Sequence, residues 1–298
     1  IDYPDFNWRL AARAKERGIP VFSYIPPSAW AWRKGRAKSC ARVADEIVAI
    51  FPHELPPYEA AGANISFVGN PLIDTVRAEM GEEEARRHFG VTDGEIPVLL
   101  MPGSRREEIE RLLPPMLGAA EILVARDSMR RFFLPVAGGV DTAQIQRHLA
   151  ASSVEVTLTH DARYALMEIA RAAIAASGTV IMEAAIMGLP AVVLYRMSAL
   201  SYLVGRLLVD VPRFSLPNIL LGETFETELL QDAVQPERIA AAMEDIIADG
   251  APRDYVTERL ARAVAVLGEP NAARRVAEKI LALARSHGRA ADENVQCS

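Results

Sequence analysis

The chain has 298 residues, half of them apolar, so it is long enough to bury a full core and to form about two domains. A formal net charge of −6 argues against a nucleic-acid binder as a whole, although it allows local basic patches. Two distant cysteines predict neither a disulfide framework nor a metal site, and no apolar run reaches the roughly 18 residues of a membrane span.

The first residues predict a βαβ unit: a strand end, a helix from about Asn7 to Arg17, and a strand over 20–25. Asp2 and Asp5 fall at the strand-to-helix turn, where open α/β sheets place their working groups. We interpret Asp5 as a helix cap and Asp2 as the candidate for chemistry.

A basic run with aromatic neighbours follows, formed by Trp30, Trp32, Arg33, Lys34, Arg36, Lys38 and Arg42. Such a run can bind phosphate, an anionic membrane surface or RNA, and a solvated helix face is its more common role. The acidic balance of the whole chain argues further against RNA.

The rest of the chain alternates between strands and helices. Strands are predicted over 46–51, 64–68, 98–101, 131–136, 154–158, 172–176 and 190–195. The other predictions are a charged helix over 74–89, a linker over 91–97, an apolar helix over 198–209, a loop over 215–223 and helices over 236–249, 253–266 and 271–287. This alternation indicates parallel, doubly wound sheets.

Two strand-to-helix turns have the composition of anion sites. In the first, Gly103 and Ser104 suit a turn that approaches a phosphate, and Arg105 adds a guanidinium fork. The second is the segment AAIAASGTVIMEAA at 172–185, which predicts a buried strand, a turn and a helix.

At the second turn the uncapped N–H groups and the helix dipole attract an anion, with Ser177, Gly178 and Thr179 at the closest approach. One turn further on, Glu183 can accept hydrogen bonds from a ribose diol, as acidic residues do in nucleotide-binding βα units. An ordinary capped helix with Glu183 in solvent fits this stretch equally well.

Several familiar motifs are missing from the sequence. It lacks GxxxxGK[ST], a GxGxxG after a strand and GxSxG, which argues against a P-loop enzyme, a Rossmann dehydrogenase and an α/β-hydrolase. The histidines have no metal-ligand spacing, and no Asp-x-Asp pair is present to hold a cation under a diphosphate. We therefore predict no metal and no cofactor, and expect helix termini and arginines to meet the charge of a leaving nucleotide.

Together these stretches resemble the lipid-A-disaccharide synthases, glycosyltransferases of the GT-B type. The matching segments are IDYPDFN at Ile1, PPSAWAWRKGR at Pro26, FVGNPLID at Phe67, MPGSRREEI at Met101, ASGTVIMEAA at Ala176, VVLYRM at Val192 and SLPNILLGE at Ser215. The family often has SPSVWAWR and FVGHP where this chain has PPSAWAWR and FVGNP, so Asn70 replaces an imidazole.

The resemblance implies an α/β fold with two Rossmann-like, doubly wound parallel sheets, the first incomplete. The family normally begins with a strand and a Gly-rich turn near GE-x-SGD, so the chain looks like a member that lacks its first quarter. The expected parts are an acceptor-side domain over 1–95, a UDP-sugar domain over 96–268, a C-terminal helix over 269–287 that packs back on the first domain, and a disordered tail over 288–298.

The resemblance also implies a reaction, in which 2,3-diacylglucosamine moves from UDP to the 6-hydroxyl of 2,3-diacylglucosamine 1-phosphate with inversion. Glu183 would bind the uridine ribose, and Asp2 would be the general base. The other implied donor-site residues are Gly103, Ser104, Arg105, Ser177, Gly178, Thr179 and Asn218, and the implied acceptor or membrane contacts are Trp30, Trp32, Arg33, Lys34 and Arg36.

Family members suggest a cytoplasmic location, peripheral association with an anionic inner membrane, and dimers. Two alternatives stay open: a UDP-sugar 2-epimerase or other GT-B transferase, and a non-catalytic fragment that binds UDP-sugar or a membrane surface. We expect the parent protein to be an enzyme, and this length to need the missing segment for activity, because an incomplete first sheet leaves an open edge.

Overall fold

The computed structural model describes residues 3–29, 35–197 and 212–296. Within these residues the chain forms two compact units. The first contains residues 3–75 and 266–296, and the second contains residues 76–197 and 212–265.

The first unit is built on a parallel sheet in the order β1-β2-β3, with strands Phe22–Tyr24, Glu46–Ala49 and Ile65–Phe67. Its helices are α1 (Pro4–Glu16), α2 (Gly35–Val43), α3 (Leu55–Glu59), α4 (Leu72–Thr75) and α13 (Ala272–Gln296), with a 3-10 turn at Pro52–Glu54. The central strand β2 is apolar and buried, as expected for a parallel strand covered on both faces.

The last helix joins this unit through its first turn. The Asp74 carboxylate accepts hydrogen bonds from the backbone N–H groups of Asn271 and Ala272, which an α-helix leaves without partners. Ala272 and Val276 are buried on the inner face of α13. The helix continues to Gln296, beyond the end at 287 that the sequence predicts.

The second unit contains a six-stranded parallel sheet in the order β6-β5-β4-β7-β8-β9. Its strands are β4 (Ile96–Met101), β5 (Arg130–Pro135), β6 (Val156–Thr159), β7 (Ala172–Ala176), β8 (Ala191–Tyr195) and β9 (Glu228–Leu230). Counted from β4, this is the strand order 3-2-1-4-5-6 of a doubly wound nucleotide-binding fold, and it reverses between β4 and β7.

Helices connect these strands, with a 3-10 turn at Gln231–Ala233. They are α5 (Glu82–His88), α6 (Arg106–Arg126), α7 (Thr142–Leu149), α8 (Arg163–Ile169), α9 (Thr179–Ile186), α10 (Leu216–Leu221), α11 (Pro236–Ile247) and α12 (Ala251–Ala265). The predicted α/β architecture with parallel sheets is confirmed. No helix in the described ranges is long and apolar enough to span a membrane.

The single charged helix predicted over 74–89 is wrong. The structure ends α4 at Thr75 and begins α5 at Glu82, after Gly81 in extended conformation. Between them Val76 is buried, and the Glu79 carboxylate accepts the N–H of Ala165 at 2.8 Å. Tertiary contacts of this segment outweigh the helical propensity of its charged residues.

The loop predicted over 215–223 is also wrong, because Leu216–Leu221 is helical. Ser215 precedes the helix, Pro217 lies in its first turn, and Gly222 ends it in the left-handed region at φ 70°. The sequence prediction missed β9, a short edge strand paired in parallel with β8. The apolar helix predicted over 198–209 lies outside the described residues.

Candidate functional site

A pocket of about 600 Å³ opens in the second unit at the carboxyl ends of β4, β5, β6 and β7. This edge includes the reversal point of the strand order, where open α/β sheets bind ligands. Seven of the eight residues predicted for the donor side line this pocket: Gly103, Ser104, Arg105, Ser177, Gly178, Thr179 and Glu183.

One wall of the pocket is the turn between β7 and α9. Strand β7 is buried along its whole length, and α9 begins at Thr179 with no side chain capping its first N–H groups. An added Cβ at Gly178 would meet no atom within 4 Å, so a ligand has room to approach the backbone. The Ser177 hydroxyl donates a hydrogen bond to the Phe214 carbonyl oxygen at 2.9 Å.

The second wall is the turn between β4 and α6. Gly103 lies at φ 102°, and a side chain there would collide with the Glu108 carboxylate. That carboxylate accepts the N–H groups of Ser104 and Arg105, both at 3.2 Å, and pairs with the Arg105 guanidinium at 2.9 Å. The Arg105 side chain is nevertheless 81% exposed, so its other N–H groups stay accessible to an anion.

Glu183 lies at the inner end of the pocket and is only 8% exposed. Its Oε1 atom accepts a hydrogen bond from the Arg163 guanidinium at 3.2 Å, whereas no described group bonds its buried Oε2 atom. Burial raises the pKa of the Glu183 carboxyl, and the Arg163 charge opposes part of that rise. A buried carboxylate oxygen without a partner is the arrangement expected of a ligand acceptor awaiting a donor.

Sequence reasoning missed other pocket residues, among them Glu79, Thr159 and Arg163. Thr159 ends β6, and its buried hydroxyl has no hydrogen-bond partner among the described residues. Arg163 follows Ala162, which adopts the left-handed conformation at φ 46°. The carboxyl end of β6 was the available signal, because every parallel strand of the sheet ends at this edge.

The structure places Asn218 differently from the other predicted donor residues. It is fully buried in α10 and is not among the residues lining the pocket. Among the described residues, its side chain bonds only groups of Phe225, Glu226 and Glu228. Direct contact between Asn218 and a donor stays a prediction.

The predicted acceptor residues are only partly described. Asp2, Trp30, Trp32, Arg33 and Lys34 lie outside the described residues.

Arg36 lines a cavity of about 950 Å³ in the first unit, beside α1 and β1. Its guanidinium pairs with Asp5 at 2.8 Å. Asp5 therefore does not cap α1, whose N-cap is Tyr3. Within the described ranges no three His, Cys, Asp or Glu side chains converge as a metal site.

Comparison with solved structures defines the class. The UDP-GlcNAc 2-epimerase of Neisseria meningitidis, solved with UDP-GlcNAc, matches with a TM-score of 0.62 at 14% identity, over 92% of this chain and 73% of that one. MurG of Acinetobacter baumannii matches with a TM-score of 0.54 at 18% identity, over 91% of this chain and 69% of that one. The chain therefore has a fold of the GT-B type, with a pocket at the point where the strand order of the second sheet reverses.

The family follows from sequence comparison. The model of the lipid-A-disaccharide synthetase family matches residues 1–281, and the chain belongs to this family. The lipid-A-disaccharide synthase of Syntrophus aciditrophicus is 44% identical over 284 residues, which cover 95% of this chain and 74% of that protein. That of Geobacter sulfurreducens is 43% identical over 281 residues, covering 94% and 73%. The resemblance predicted from the motifs is confirmed.

Proposed function

We propose that the pocket of the second unit binds UDP-2,3-diacylglucosamine and that the protein transfers its sugar to 2,3-diacylglucosamine 1-phosphate. The uncapped turn at Ser177–Thr179 and the Arg105 guanidinium meet the diphosphate, and Gly178 lets it approach the backbone closely. Family membership supports the choice of substrates.

The observation that carries the proposal is the Glu183 carboxylate. It lines the pocket, it is buried, and its Oε2 atom lacks a partner among the described residues. Ribose hydroxyl groups are neutral donors that would satisfy this oxygen. The Arg163 guanidinium on Oε1 favours the ionised form, which accepts the stronger hydrogen bonds.

In the reaction, transition-state charge develops on the leaving UDP and a proton must leave the acceptor hydroxyl. The turn amides and Arg105 stabilise the negative charge that develops on UDP, because hydrogen-bond donors that are fixed before the reaction need not reorganise. Asp2 takes the proton as general base, and the sugar is displaced in line with inversion at its anomeric carbon. UDP leaves, and the new glycosidic bond joins the two sugars.

Calorimetric titration with UDP and 2′-deoxy-UDP tests the ribose contact. We expect the unchanged chain to prefer UDP by about tenfold, which is the worth of one hydrogen bond to a charged group. Glu183→Gln should lower the affinity for UDP and narrow this preference. Glu168→Gln is the control: it changes an exposed carboxylate of α8 and should leave the preference for UDP over 2′-deoxy-UDP unchanged. If Glu183→Gln kept the full preference for UDP, the result would contradict the proposed contact between Glu183 and the ribose.

We also propose that the basic run from Trp30 to Arg36 brings the enzyme to the cytoplasmic face of an anionic membrane, where acylated substrates reside. Reversing the charges of Arg33 and Lys34 to Glu should cost about 4 kcal/mol of binding to phosphatidylglycerol vesicles in a sedimentation assay, about half from lost attraction and half from new repulsion. The same double reversal at Arg274 and Arg285 controls for net charge. If the two double variants bound vesicles equally, the basic run would be a solvent-exposed helix face without a role in membrane binding.

A further inference from the structure

A buried polar network lies behind the Ser177–Thr179 turn and has no role in the reaction as described. Ser215 and Asn218 are fully buried, and Glu226 is 1% exposed. Ser215 immediately precedes α10, Asn218 lies within it, and Glu226 belongs to the segment that leads into β9, where Glu228 completes the network. Burying so many polar groups is costly unless all of them find partners.

Asn218 holds this network together. Its Nδ2 atom donates to the Glu226 carbonyl at 2.9 Å and to Glu228 Oε1 at 2.7 Å. Its Oδ1 atom accepts the N–H groups of Phe225 and Glu226, both at 3.0 Å. An amide side chain has two donors and two acceptor sites, so no capacity remains for a ligand.

The network fixes the backbone at Phe214 and Ser215. The Glu228 carboxylate accepts the N–H of Phe214 at 3.0 Å and that of Ser215 at 2.9 Å. The Ser215 hydroxyl donates to Glu226 Oε2 at 2.8 Å. Burial raises the pKa of the Glu226 carboxyl to about 8, with the Glu228 charge as a smaller cause, so a second full negative charge beside Glu228 is avoided at neutral pH.

The fixed backbone reaches the pocket through one hydrogen bond. The Phe214 carbonyl accepts the Ser177 hydroxyl proton at 2.9 Å. A serine hydroxyl has a single proton, so Ser177 then presents only lone pairs to the pocket, and lone pairs repel a diphosphate.

We propose that Ser177 is a positioning residue rather than a phosphate ligand, and that Asn218 and Glu228 act through it. The two buried residues hold the Phe214 carbonyl, the carbonyl holds the Ser177 hydroxyl, and this bond sets the turn whose N–H groups face the anion. The inference rests on the proposed binding of UDP in this pocket. It gives Asn218 a supporting role in place of direct donor contact.

A double-mutant cycle on UDP affinity, measured by calorimetry, tests this proposal. Ser177→Ala removes the hydroxyl, and Glu228→Gln turns an amide NH₂ toward a backbone N–H. We expect each change alone to weaken UDP binding by about tenfold. The double variant should bind only slightly more weakly than either single variant, because both changes break the same link. A roughly hundredfold loss in the double variant would mean independent effects and would overturn the proposal.

The matched control is Glu121→Gln. Glu121 also holds a loop, accepting the Ser152 hydroxyl at 2.6 Å and the Ser153 N–H at 2.7 Å, but it does not line the pocket. This variant should leave UDP affinity unchanged. If thermal melting shows that Glu228→Gln does not fold, Glu228→Asp takes its place in the cycle. Failure of the unchanged chain to bind UDP would refute the proposed function, and this proposal with it.

Discussion

Replacing Arg105 with Ala is expected to lower kcat/KM for the UDP-sugar by about 10²–10³, the usual effect of removing one preorganised donor from a developing charge. The guanidinium lines the pocket beside the turn at Gly103, and its side chain is 81% exposed to the entering ligand. Its bond to Glu108 orients it without using all of its N–H groups.

A lysine tests which property of Arg105 matters. Arg105→Lys keeps the charge but loses the planar fork, so we expect only partial recovery of kcat/KM. Arg111→Ala is the matched control, because Arg111 lies on the same helix, pairs with Glu107 at 3.3 Å and does not line the pocket. If steady-state kinetics gave Arg105→Ala and Arg111→Ala the same kcat/KM for the UDP-sugar, the result would contradict the diphosphate role of Arg105.

Replacing Asp2 with Asn is expected to lower kcat by roughly 10²–10⁴ while UDP affinity is kept, because a general base acts on the acceptor and not on the donor. Asp2 lies outside the described residues, but the structure shows how its neighbours are engaged. Asp5, a carboxylate three positions further along the chain, is already paired with Arg36 at 2.8 Å.

Five other carboxylates of the described part of the first unit are engaged as well. They are Glu16 with Arg13, Asp45 with Lys15 and the N–H of Val21, Glu46 with Lys279, Glu54 with the N–H groups of Ile50 and Phe51, and Asp74 with those of Asn271 and Ala272. A carboxylate held in this way is poorly placed to accept an acceptor proton.

Asp5→Asn is the control for Asp2→Asn. It removes a carboxylate three positions away in the chain and should break its pair with Arg36. Single-turnover assays with acylated substrates, run alongside UDP calorimetry, separate chemistry from binding. Near-normal turnover in Asp2→Asn would exclude Asp2 as the base, and equal losses in both variants would point to a structural effect.

The sequence by itself determined the class of fold and seven of the residues that line the pocket. Strand β7 is a short apolar run between turn signals, and the structure gives it the predicted bounds Ala172–Ala176. Gly103, Ser177 and Glu183 were predictable because carboxyl ends of parallel strands meet at one edge, so local turn chemistry already specifies a shared site.

Only the tertiary structure decided where polar side chains find their partners. Asn218 looked like a pocket residue, but burial in α10 uses all four of its hydrogen-bonding sites. Arg163 had no motif, and its position beside Glu183 depends on a contact between residues 20 apart in the chain.

The break at 76–81 likewise depends on Glu79 reaching Ala165. Sequence periodicity reports which face of an element is apolar, whereas hydrogen bonds between distant segments depend on how the elements pack. For this reason the sequence predicted seven residues that line the pocket, whereas packing decided which polar side chains line it and which lie buried beside it.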